Sequence, residues 1–119
     1  MIKSISASCS LAISFFVPAA LACDYPKRVE IPNGNTATKE EMVVGQKGVK
    51  KFMADMERYL ACIEDEDKEM RAGIEQPDPI VEAQRDEMLV KKHNAAVDDM
   101  EKVAAQFNEE VRSYKARGE

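Results

Sequence analysis

The sequence predicts an all-α protein: an antiparallel two-helix hairpin of coiled-coil type, led by an extended N-terminal arm. Three observations predict it. Apolar residues recur at seven-residue spacing along two long stretches, a proline-rich break separates those stretches, and no alternating apolar–polar run marks a strand. Each element is justified in chain order below.

Residues 1–22 read as a cleavable export signal. Lys3 supplies a positive start, Leu11 to Val17 (LAISFFV) an apolar core, and Ala20-Leu21-Ala22 a small-residue cleavage motif. The apolar run is far short of the roughly 20 residues a membrane-spanning helix needs. Cleavage between Ala22 and Cys23 removes Lys3 from the 17 Lys/Arg. The 16 that remain face 22 Asp/Glu, a formal charge of −6. That balance argues against nucleic acid and against docking on anionic lipid, both of which call for a basic patch.

Of the three cysteines, Cys9 leaves with the signal, so Cys23 and Cys62 remain. An even count in an oxidising compartment favours a disulfide between them. A rival reading makes Cys23 the lipid-modified first residue of a lipoprotein, which would consume its thiol and strand Cys62. The small residues before Cys23 fit that reading, but the leucine usual three positions before such a cysteine is missing. The expected location is therefore periplasmic or secreted, with a lipid anchor as the alternative.

Residues 23–37 form the arm. Pro26, Pro32 and the Asn33-Gly34 turn signal discourage helix, and Tyr25, Val29 and Ile31 can face one surface. The first helix, about 39–72, opens on Thr38-Lys39-Glu40-Glu41, a capping box in which Thr38 and Glu41 satisfy each other's backbone amides. Met42, Val49, Met56, Ile63 and Met70 then recur every seven residues, flanked by Phe52, Tyr59, Met53 and Leu60. Gly45 and Gly48 weaken the helix unless something packs close against them.

Gly73 ends this helix and Gln76-Pro77-Asp78-Pro79 makes the turn, with Asp78 as cap and Pro79 at the first helical position. The second helix, about 79–116, repeats the period through Val90, Val97, Ala104 and Val111. His93, Met100, Phe107 and Tyr114 are interleaved, and Leu89, Ala96 and Val103 broaden the face. Two long helices joined by a short connection pack antiparallel. Counting outward from the turn sets Met56 and Tyr59 near His93 and Ala96, Val49 near Met100 and Val103, and Met42 near Phe107. Residues 38–119 thus make one hairpin.

The arm has a reach to satisfy. Cys62 lies roughly 36 Å along the helix from Thr38, and the residues between Cys23 and Thr38 stretch to about 50 Å. A nearly extended arm can fold back along the first helix to meet Cys62. A hairpin alone encloses little, so its remaining apolar surface is expected to be covered by the arm, by a second copy in a four-helix bundle, or by both.

Candidate chemistry is sparse. His93, the single histidine, offers a metal ligand or a base, but the plainer reading is a packed ring bonded to Tyr59. Met53 and Met56 have the Met-x-x-Met spacing that holds soft metals in exported proteins, yet methionine also fills helical seams. Glu64, Asp65, Glu66, Asp67 and Glu69 lie around a straight helix rather than a calcium loop, and Asp67 can pair with Arg71 at i, i+4. Val81 and Met88 stand off the main stripe as a possible contact patch. No catalytic, cofactor or metal site is expected, and the chain is read as a non-enzyme.

The residues Cys23, Ile31-Pro32-Asn33-Gly34, Glu41-Met42 and Tyr59-Leu60-Ala61-Cys62 resemble a group of small exported proteobacterial proteins. The later run His93-Asn94-Ala95-Ala96-Val97, Met100, Phe107-Asn108-Glu109 and Arg112 is similar as well, so the likeness covers most of the chain after the signal. The resemblance implies export and fits a Cys23–Cys62 pair; it implies no activity, cofactor or partner. The functional expectation is an exported interaction or structural protein that binds itself, as a homodimer, or another envelope protein. The alternative is a chaperone-like or soft-metal-binding envelope protein.

Overall fold

A computed structural model of the chain describes residues 23–118. Residues 1–22, read above as an export signal with cleavage between Ala22 and Cys23, and Glu119 lie outside the described residues. Two helices make the fold: α1, Lys39–Ala72, of 34 residues, and α2, Pro79–Ala116, of 38 residues. They pack against each other as a hairpin, and no strand occurs among the described residues.

Both helix starts follow from local chemistry. The Thr38 hydroxyl accepts from the Glu41 amide at 3.1 Å, and the Glu41 carboxylate accepts from the Thr38 amide at 2.7 Å. Asp78 accepts from the Ile80 amide at 2.8 Å, with Pro79 beginning α2 where no amide proton is needed. Gly118, at φ +76°, takes the left-handed conformation just past α2, which closes off that helix.

The core sits where the two seams meet: Phe52, Met56, Ala96 and Val103 are buried, with Val49, Met53, Tyr59, Leu60 and Met100 packed round them. Met56 and Ala96 are wholly inaccessible, a long side chain on α1 and a small one on α2 in the same buried cluster. Along α2 the centre of the packed face is Leu89–Ala96–Val103 rather than Val90–Val97–Ala104. Val90 is 56% exposed. The two columns are one residue, about 100°, apart on the helix, and the small Ala96 lets α1 approach on that side.

Val29 and Ile31 of the arm join the same core as a third, non-helical layer. The arm's half-buried positions include Cys23, Pro26, Val29 and Pro32, one in three. That is the period of a polyproline II chain, with three residues per turn.

Candidate functional site

The arm is fixed to the hairpin at both ends and in its middle. At its start, Cys23 is disulfide-bonded to Cys62 on α1, with Cα atoms 5.7 Å apart. Two residues on, the Tyr25 ring meets the Tyr59 ring edge-on at 4.9 Å, and its hydroxyl donates to Asp99 on α2 at 2.5 Å. Burial, and after it the Asp99 carboxylate, push the Tyr25 phenol up to about 12. The phenol thus stays protonated and keeps donating at any ordinary pH.

Further along, the arm lies on glycines. A Cβ on Gly45 would stand 2.6 Å from the Pro32 ring, and one on Gly48 would touch Val29. The helix propensity lost at these two positions is offset by the close approach it permits. The arm then turns at Asn33, whose side chain accepts from the Asn35 amide while its carbonyl accepts from Thr36 and Ala37. Gly34 rests directly on the α2 backbone: a Cβ there would be 1.9 Å from the Glu110 carbonyl oxygen. Its amide donates to the Glu110 carboxylate at 2.6 Å, and Arg117 donates to the Gly34 and Ala37 carbonyls.

Among the described residues no third layer covers the hairpin beyond Cys62. What joins the helices there is an ion-pair cluster. Arg71, near the end of α1, donates to Asp67 at 2.8 Å, to Glu82 of α2 at 2.7 Å and to Asp86, while Arg85 holds Glu82 at 3.1 Å. Bonding to Asp86 and Asp67 raises the Arg71 guanidinium above its ordinary range.

Apolar side chains are left uncovered at this end. Of the eight large apolar residues that are exposed among those described, five (Met70, Ile80, Val81, Met88 and Val90) belong to this tip. Met70 and Met88 stand at the rim of a small groove of about 100 Å³, shared with Ile63, Leu89, Glu66, Asp67, Arg85 and Lys92. Elsewhere, two wider grooves of about 680 and 950 Å³ flank the arm along α1.

Cys23 and Cys62 are brought together as the sequence suggests. His93 is not where the sequence puts it: it is exposed, and Tyr59 is occupied by Tyr25 instead. With its prospective partner taken, the imidazole is better satisfied in water than in the seam. Met53 is half-buried and Met56 fully so, both as core packing. The acidic run keeps Glu64, Asp65 and Glu66 in solvent while Asp67 bonds Arg71. Among the described residues no group of three or more His, Cys, Asp or Glu side chains is placed to hold a metal, and no helix is long and apolar enough to cross a membrane.

Three features escape a sequence reading: the Gly34 seat on Glu110, the Arg117 clasp on the arm, and the Arg71 cluster. Only the Asp67–Arg71 part of the last carries a local signal. Comparison with protein-family models, with curated proteins and with solved structures finds no match to this chain.

Proposed function

We propose that this is an exported, non-enzymatic interaction protein: a disulfide-stapled helical hairpin whose arm closes one half and whose tip packs on a partner helix. The partner is a second copy or another envelope protein. One observation carries the reading. In the half that the arm covers, Met42 is 7% exposed, Met56 0% and Val103 8%, whereas toward the tip Met70 is 48%, Met88 55% and Ile80 71% exposed. Clustered apolar side chains rimmed by charge suit a helix-in-groove contact.

Export rests on the leader's three-part pattern, on the Cys23–Cys62 bond, which belongs to oxidising compartments, and on the family resemblance. The disulfide takes the Cys23 sulfur, which supports a soluble protein over a lipid-anchored one. The full burial of Met56 works against the soft-metal alternative, since a metal would have to open the core to reach its sulfur.

Site-specific photo-crosslinking in intact cells tests this. A crosslinker at Met88 should yield a defined envelope adduct, and one at Lys47 on α1's exposed side should not. Adducts at Lys47 alone, or none at either position, would remove the reading. Intact mass of the purified protein should correspond to a chain beginning at Cys23, unmodified by lipid and lighter than the dithiol by two hydrogen atoms.

A further inference from the structure

We propose that the tip groove docks a second copy of the same chain across a two-fold axis, with Met70 and Met88 at the centre of the contact. This names an occupant for the surface proposed above and rests on that reading. The argument comes from how charge is distributed on the two lips. The α1 lip carries Glu66 and Asp67; the α2 lip carries Arg85 and Lys92. One side is wholly acidic and the other wholly basic.

A two-fold interface is isologous, so each patch meets its own copy and every contact occurs twice. Turned through a two-fold axis that runs along the groove, the acidic lip of one copy faces the basic lip of the other, on both sides of the methionines. A surface with one sign of charge on both lips would repel itself; this one is complementary to itself. Asp67 and Arg85 are engaged within the chain, with Arg71 and Glu82. Glu66 and Lys92 form no ion pair among the described residues, and the Glu66 carboxylate lies 3.3 Å from the Cys23 sulfur.

Each of these two charges, without an opposite charge beside it, stands four residues from an exposed methionine on its own helix, Glu66 from Met70 and Lys92 from Met88. Both pairs therefore share a helical face. Methionine, unbranched and adaptable, fills the irregular gap between two such faces. The interface thus has an apolar centre and a charged rim that sets its orientation.

The test uses the protein recovered from the envelope of cells expressing the full chain, followed by sedimentation at micromolar concentration. The wild type should be dimeric. Met88→Asp should raise the dissociation constant at least tenfold, and circular dichroism should show its helix content unchanged, since Met88 is exposed. Glu66→Lys and Lys92→Glu should each weaken association, because each leaves two lips of the same sign facing one another. Mixing those two variants should restore it, each copy supplying the charge the other's lip lacks. A wild-type dimer that Met88→Asp leaves intact, or a mixture no tighter than either variant alone, would overturn the tip as the self-contact. A monomeric wild type would overturn it too. In that case a Met88 adduct with a different envelope protein would leave the proposed function standing, and no adduct would remove both.

Discussion

Met56 and Met70 occupy the same heptad position of the same helix, yet one is wholly buried and the other 48% exposed. The arm covers the half that holds Met56, and Ile63, at the same heptad position just past Cys62, is still buried at 5%, so exposure sets in between Ile63 and Met70. On the Met56 side of Cys62 the two helices have a third layer, pinned by a disulfide, an aromatic contact and two glycine seats. On the Met70 side they have each other and the charges round Arg71. A heptad seam specifies which face of a helix is apolar. How much of that face leaves water depends on how many layers cover it, and two helices alone cover little.

That contrast can be broken one element at a time. The largest effect belongs to the disulfide. Cys62→Ser frees a loop whose ends are 39 residues apart, and should cost about 4 kcal/mol in the chain-entropy view, read as a lowered urea midpoint. A smaller loss would mean that the rest of the arm holds without its staple.

Next comes Gly34→Ala. A methyl group 1.9 Å from the Glu110 carbonyl has to push backbone apart, at about 1–3 kcal/mol. Urea unfolding of this variant alongside Gly48→Ala separates crowding from helix propensity. Gly48 has room for a Cβ, and alanine there should be neutral or stabilising.

Tyr25→Phe removes the bond to Asp99 and should cost about 1 kcal/mol at neutral pH. The alkaline limb sharpens the assignment. The phenol's value is higher in the folded protein, about 12, than the ordinary 10.0, so the fold favours the neutral form. Its contribution is complete below pH 10 and fades as pH rises from about 10 toward 12. Wild-type stability should fall over that window, and the Tyr25→Phe variant should lose this part of the fall.

Arg71→Ala should have the smallest effect. Its partners are partly solvated, so Tm should drop slightly and the drop should shrink as salt is added. A large, salt-insensitive loss would show that the tip is held more firmly than its exposure suggests.

Much of this architecture can be read from residues. Thr38 with Glu41, Asp78 with Pro79, and the seven-residue spacing all act locally or through periodicity, and the structure carries them out. Gly45 and Gly48, weak as helix formers, are readable as places of close approach, and the arm is what approaches. Other features depend on non-local geometry. Asn33-Gly34 announces a turn but not that the turn lands on Glu110. The apolar columns of α2 lie side by side, and spacing alone does not say that Leu89, Ala96 and Val103, rather than Val90 and its heptad partners, face α1. His93 is exposed, while the Tyr59 ring packs against Tyr25, 34 residues earlier in sequence, a pairing that spacing does not announce. The tip patch showed only as Val81 and Met88 standing off the stripe, since exposure is a property of what fails to cover a residue.

Residue-level hydrogen exchange, with and without reductant, addresses the unequal covering of the two halves most directly. With the Cys23–Cys62 bond intact, amides of Val49–Met56 and Ala96–Val103 should exchange slowly and those of Met70–Val90 much faster. Reduction should speed exchange in the first set and leave the second nearly unchanged. Equal protection of both sets in the oxidised protein, or a first set indifferent to reduction, would contradict the claim that the arm secures one half of the hairpin and leaves the other open.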